Sequence, residues 1–168
     1  MKRSLPAYLL SASLAILVVT AGLKASDATH RPSPAPAVPA LLMGQDVEAI
    51  IDHRKGVMRA ASGHLRATAA ILVDGLPFEA MLPMHGSALA MLLSDIPALF
   101  PEGTNHEESD ARPEIWQSWE VYVERSGTTA QRARALEEAI QGGNRAAMVQ
   151  AFRGLGETCG ACHEDYRN

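Results

Sequence analysis

The amino-acid sequence predicts an all-α protein, an antiparallel four-helix bundle. Three observations lead to this fold class. Apolar residues recur at every third or fourth position in four segments, which places them on one face of a helix. Proline, glycine and capping residues separate these segments. No segment alternates apolar and polar positions with the β-branched side chains that strands favour, so packing of antiparallel helices is the expected way to bury the apolar faces.

The first helix is predicted over residues 46–74, where Asp46 can cap the start and Gly75 follows the end. Its apolar stripe contains Val47, Ile50, Ile51, Val57, Met58, Ala61, Leu65, Ala69 and Leu72. The second helix is predicted over residues 83–93, because proline is tolerated in a first turn. Its expected apolar face is Leu89, Met91, Leu92 and Leu93. The polar run over residues 102–111 predicts a loop.

The third helix is predicted to open at Pro113 and to end at the glycine pair 142–143, with Gly127 as a weak point. Its expected buried side is Ile115, Trp116, Trp119, Tyr122 and Val123. Asn144 is placed to cap the fourth helix. The apolar stripe of this last helix is Ala147, Met148, Ala151, Phe152 and Leu155.

Residues 1–25 predict a segment that directs export to the periplasm. Two basic residues precede an apolar stretch, as in a secretory signal peptide. The stretch also reaches the ~17–25 residues that a membrane anchor needs, so cleavage and retention as an anchor both stay open. The proline-rich residues 26–40 predict a semi-rigid linker. Residues 41–168 then form the bundle.

Charge argues against a nucleic-acid binder. The chain has 15 basic and 19 acidic residues, a formal charge of -4. Residues 41–168 hold eleven basic and eighteen acidic residues, a formal charge of -7. A protein that binds nucleic acid needs a basic surface to neutralise phosphates. The two cysteines are also too few for a disulfide-rich scaffold.

Residues 159–163 read Cys-Gly-Ala-Cys-His, and Cys-x-x-Cys-His is the attachment signature for c-type haem. Positions three and four apart share one helix face, so Cys159, Cys162 and His163 can meet one ligand together. The thiols can form thioethers with the two vinyl groups, and the imidazole can bind the iron. A disulfide, a dithiol or a metal site are the alternatives, although zinc would require four ligands. The motif therefore predicts one covalently bound haem c.

The position of this motif in the last helix resembles the class II cytochromes c, the cytochrome c′ and cytochrome c-556 family. The resemblance covers residues 46–167. It rests on HRKGVMRA at 53–60, DARPEIW at 110–116, Ala151-Phe152 and Leu155-Gly156 before the motif, and CGACHEDYR at 159–167. It implies a bundle whose haem is attached from the fourth helix. The residues that it assigns are Cys159 and Cys162 as thioether cysteines, His163 as proximal iron ligand, Arg54 and Lys55 on the propionate side, and Arg167 near His163.

The resemblance also makes Met58 the residue that decides the function. In the c-556 branch, which this sequence resembles most, methionine at the matching position is the sixth ligand. That implies a low-spin iron with His163 and Met58 as axial ligands, and a one-electron carrier that is not an enzyme. The alternative is that Met58 only packs, which leaves a five-coordinate iron that binds NO or CO, as in cytochrome c′. A redox partner protein is expected, and the c′ type also implies a homodimer through the first two helices.

Overall fold

The computed structural model describes residues 47–106 and 108–168. Its helices are α1 (Val47–Leu72), α2 (Leu82–Leu92), α3 (Glu114–Gln117), α4 (Trp119–Gln141) and α5 (Arg145–Tyr166), with 3₁₀ turns at Glu79–Met81 and Ile96–Leu99. No strand occurs in these residues, which confirms the all-α prediction. The predicted signal segment, the linker and the Asp46 cap lie outside the described residues. None of the described helices is both long enough and apolar enough to cross a bilayer.

The four long helices pack in chain order. α2 packs against both α1 and α4, and α4 packs against α5, whereas α1 and α5 touch each other at few places. The core takes fully buried side chains from helices along the whole bundle, namely Ile51, Leu89, Ile115, Leu136 and Leu155. The prediction of a four-helix bundle is therefore confirmed. Because α1 and α5 make few contacts, space remains between these two helices.

Helix ends that depend on local chemistry lie where the sequence predicts them. The Asn144 side chain accepts a hydrogen bond from the Ala147 backbone N–H at 3.1 Å, so it caps α5. Gly75, beyond the end of α1, has a φ of 75°. That left-handed conformation costs glycine little and lets the Leu76 N–H reach the Ala70 carbonyl at 3.0 Å.

The prediction of one continuous third helix is wrong. The backbone leaves helical geometry at Ser118, with φ -124° and ψ 46°, which separates α3 from α4. The Trp116 indole N–H donates to the Phe100 and Pro101 carbonyls, both at 3.2 Å, so α3 is tied to the preceding loop. The buried positions Ile115, Trp119, Tyr122 and Ser126 keep steps of three and four across the break, and Val123 falls outside this stripe and is exposed rather than buried.

The second helix has the predicted extent to within one residue, but Met91 lies on its outer side and is 71% exposed. The buried side of α2 faces α1 and α4. Its contact with α1 includes a histidine pair, in which the Nδ1 atoms of His64 and His85 lie 2.9 Å apart. Burial, followed by the neighbouring His64, lowers the pKa of His85. One neutral imidazole therefore accepts the hydrogen bond of the other.

Gly86 sets the distance between α2 and α4. A Cβ atom at this position would lie 2.8 Å from Ile140 Cδ1 and 3.4 Å from the Glu137 Cα. We expect Gly86→Val to lower the free energy of unfolding of the holoprotein by about 1–3 kcal/mol, because overpacking displaces neighbouring atoms. Urea unfolding checks this value. Gly56→Val is the matched control, since a Cβ at Gly56 on α1 meets no atom within 4 Å; an equal loss in both variants would contradict the prediction.

Candidate functional site

The space between α1 and α5 is part of a cavity of about 590 Å³. This volume lies in the ~300–1,000 Å³ range of small-molecule and cofactor sites. Its walls come from α1, α4, α5 and the connection between α2 and α4. Much of the lining is apolar, with contributions from Ala61, Leu65, Leu93, Ile96, Phe100 and Ile115. The cavity can therefore accept a group with a large apolar surface.

The α5 wall carries the residues of the Cys-x-x-Cys-His motif. Cys159, Cys162 and His163 all line the cavity. Both cysteines are half-buried, and they form no disulfide with each other. Burial, followed by the Arg167 charge, lowers the pKa of His163, and a neutral imidazole is the form that binds a metal. Two thiols and one imidazole on a single apolar wall fit a haem held by two thioethers.

The α1 wall carries Met58. Its side chain is half-buried and, like that of Leu65, packs against the hydrophobic core while lining the cavity. Met58 is the only methionine among the cavity-lining residues of the described chain. The structure thus brings Met58 and His163 to one cavity from different helices.

Arg54 is the most buried charged side chain of this wall, at 4% exposure. Its guanidinium donates to the Leu99 carbonyl at 3.4 Å, the Thr104 hydroxyl and carbonyl at 3.2 and 3.3 Å, and the Ser109 hydroxyl at 2.7 Å. It also lies 4.5 Å from the centre of the Phe100 ring. These partners are neutral, and burial lowers the pKa of Arg54. Arg54 therefore fastens the 99–109 loop to α1, and its contact with a propionate stays a prediction.

Lys55 and Arg167 also line the cavity. The Lys55 ammonium donates to the Glu108 carbonyl at 2.6 Å. The Arg167 guanidinium lies 3.6 Å from the Asp110 carboxylate, and the backbones of Ala111 and Arg167 form an antiparallel bridge. The two motif strings at 110–116 and 159–167 thus meet at one edge of the cavity. The positions of Lys55 on the propionate side and of Arg167 near His163 stay predictions.

Several lining residues escape prediction from the sequence. Tyr122 is 2% exposed and lies between the Phe100 and Tyr166 rings, with centroids 5.3 and 5.1 Å away. Burial raises the pKa of Tyr122 far above its ordinary value. One signal was available for the loop contacts: Arg54 occupies the position between Ile51 and Met58 in the apolar stripe, where a cation needs buried partners.

A family model described as cytochrome c′ matches residues 49–167. The chain belongs to the cytochrome c′ family. It carries one covalently attached haem c, as this family does. The resemblance and the cofactor that the sequence predicts are thereby confirmed, and the thiol and metal alternatives are set aside.

Relatives of both branches are similar to this cytochrome c′ family member. The cytochrome c′ of Pararhodospirillum photometricum is 34% identical over 121 residues, which cover 71% of this chain and 97% of that one. The cytochrome c-556 of Agrobacterium tumefaciens strain II Chrys is 31% identical over 121 residues, covering 70% and 95%. A solved nitric oxide complex of a cytochrome c prime variant from Alcaligenes xylosoxidans has a TM-score of 0.68 and 25% identity, covering 74% and 98%.

Proposed function

We propose that this protein binds a small neutral gas such as NO or CO at a five-coordinate haem iron, with His163 as the one axial ligand from the chain. The observation that carries the proposal is the match to cytochrome c′ over residues 49–167, which includes every residue that lines the cavity. The nitric oxide complex of a similar cytochrome c prime supports the same ligand class.

Each wall of the cavity has a part in this function. Cys159 and Cys162 fix the haem to α5, and neutral His163 is placed to donate its lone pair to the iron. The bound haem supplies the iron atom to which a diatomic ligand adds. On α1, Met58 packs with Leu65 as an apolar wall. Such a wall favours a neutral diatomic molecule beside it, because neither of these two side chains can replace the hydration that an ion would lose there.

A second function is supported by a specific observation, the placement of Met58 and His163 on the same cavity. If the Met58 thioether binds iron, the protein is a low-spin one-electron carrier, as the resemblance to cytochrome c-556 implies. Methionine ligation raises the reduction potential of a cytochrome. Neither function needs a general base or a nucleophile, and we propose that the protein is not an enzyme.

Absorption spectra of the holoprotein separate the two functions. Because Met58 only packs under the first proposal, we expect a high-spin spectrum that Met58→Leu leaves unchanged. We also expect this variant to change CO affinity less than tenfold, which corresponds to about 1.4 kcal/mol. The matched control is Met148→Leu, since Met148 is buried in α5 away from the cavity lining.

A low-spin wild-type spectrum that becomes high-spin in Met58→Leu but not in Met148→Leu would overturn five-coordinate binding and establish the electron carrier.

The cellular location and the oligomeric state of the protein are also proposed. We propose that the chain works in the periplasm, on the strength of the export signal in residues 1–25. We also propose a homodimer through α1 and α2, which the resemblance to the c′ type implies.

A further inference from the structure

The charge around the cavity is opposite to the charge of the domain. Residues 41–168 have a formal charge of -7. The cavity lining nevertheless holds five cationic side chains and a single carboxylate within the described chain. The cations are Arg54, Lys55, Arg59, Arg66 and Arg167, and the carboxylate is Asp110. An acidic protein thus presents a basic surface at the site where its haem is bound.

Three of these cations form a stripe along α1. Lys55, Arg59 and Arg66 follow one another at steps of four and seven, with Ser62 between the last two, and these steps keep them on one helix face. At 1.5 Å per residue the stripe is about 16 Å long. All of its members line the cavity, beside the face that carries Met58.

The charges of the stripe are not neutralised by the described chain. Arg59 and Arg66 are exposed, and no described carboxylate lies within 4 Å of either guanidinium. Lys55 donates to a backbone carbonyl, which carries no net charge. The two haem propionates can offset two cations, and Arg54 and Lys55 are the pair that we predict for them. Arg59 and Arg66 remain as excess positive charge at the cavity edge.

We propose that Arg59 and Arg66, the two cations of the stripe that remain in excess, form the docking surface for an acidic electron-transfer protein. The inference rests on the proposed function, because CO binds only ferrous iron and the ferric protein must first receive one electron. The partner loses that electron and the iron gains it. Negative charge over the rest of the domain repels an acidic partner, whereas the stripe attracts it, so the approach is oriented toward the haem.

Oxidation of the ferrous holoprotein by small charged complexes tests the electrostatic attraction exerted by the stripe. Hexacyanoferrate(III), an anion, and tris(phenanthroline)cobalt(III), a cation, each accept one electron from the iron. Stopped-flow rates are measured from low to high salt. For the wild type we expect the rate with the anion to fall about tenfold as salt rises, within the 10–10³ range of electrostatic steering. The rate with the cation should stay level or rise.

Matched charge variants locate the effect. We expect Arg59→Gln with Arg66→Gln to lower the low-salt rate with hexacyanoferrate about tenfold and to remove its salt dependence. Arg134→Gln with Arg153→Gln removes the same charge from exposed positions on α4 and α5 that do not line the cavity. This control should behave as the wild type does.

Three results would overturn the proposal. The first two are a rate with the anion that rises with salt, and equal effects of the two double variants, because net charge alone would then govern the approach. The third is sedimentation of the holoprotein with phosphatidylglycerol vesicles that Arg59→Gln with Arg66→Gln abolishes, which would assign the stripe to a lipid surface. Failure of the gas-binding proposal is recognised separately, by a low-spin spectrum of the holoprotein. Such a spectrum would not alter the dependence of the oxidation rates on salt, which tests the docking surface alone.

Discussion

Replacing Cys159 and Cys162 together with alanine should leave the chain without covalently bound haem. Each thiol is expected to add across one vinyl group, so that loss of both removes every covalent link, and either single replacement leaves one thioether. The measurement is haem absorbance of the denatured chain after extraction with acidified acetone. We expect a fall to background in the double variant and a retained but altered haem spectrum in each single variant.

Thr158→Ala is the control for this experiment. Thr158 precedes the motif on α5 and its hydroxyl donates to the Leu155 carbonyl at 2.8 Å, but it does not line the cavity. It should keep full covalent haem. A double cysteine variant that retained haem after denaturation at the wild-type level would disprove the assignment of both attachment residues.

Replacing Arg54 with methionine should produce the largest loss of stability from a single side chain at this site. The change removes the guanidinium donor from the Leu99 carbonyl and from the buried oxygen atoms of Thr104 and Ser109, although the Ser109 hydroxyl still accepts from the Ala111 N–H. Each unpaired buried group costs about 1–3 kcal/mol, although loop relaxation and water will recover part of the sum. We expect the free energy of unfolding of the holoprotein to fall by about 3 kcal/mol in urea titrations.

Lys55→Met isolates the effect of burial. It removes the same charge one residue along α1, from an ammonium whose hydrogen bond to Glu108 is exposed, and surface changes of this kind cost at most about 0.5 kcal/mol. Arg54→Lys keeps the charge but lacks the planar fork of donors, so its loss should be intermediate. If Arg54→Met and Lys55→Met lowered the free energy of unfolding equally, the hydrogen bonds of Arg54 to the loop would not stabilise the protein as proposed. Faster amide hydrogen exchange at Thr104 and Ser109 should accompany a genuine loss.

Features set by neighbouring residues were predictable from the sequence, and features set by distant ones were not. The motif at 159–163 and the Asn144 cap each depend on residues within one helical turn. The break at Ser118 follows a contact between residues farther apart, the hydrogen bonds from the Trp116 indole N–H to the Phe100 and Pro101 carbonyls. No local propensity encodes such a tertiary contact, which is why α3 and α4 were predicted as one helix.

The same distinction holds inside the site. Cys159, Cys162, His163 and Met58 were found because a motif and a resemblance point to them, and the structure places all four on one cavity. The hydrogen bonds of Arg54 join residues 45 to 55 positions apart, and a pattern of helix periodicity carries no information over such separations. The basic stripe on α1 can be related to function only when the position of the cavity is known.

The partial burial of the two cysteines bears on the order of events during maturation. In the closed bundle both side chains are half-buried on the α5 wall of the cavity, so a thiol there is less accessible than in an open chain. We therefore expect thioether formation to precede closure of the helices. The last stage of folding would then take place around the haem, and a chain that closed early would be trapped without cofactor.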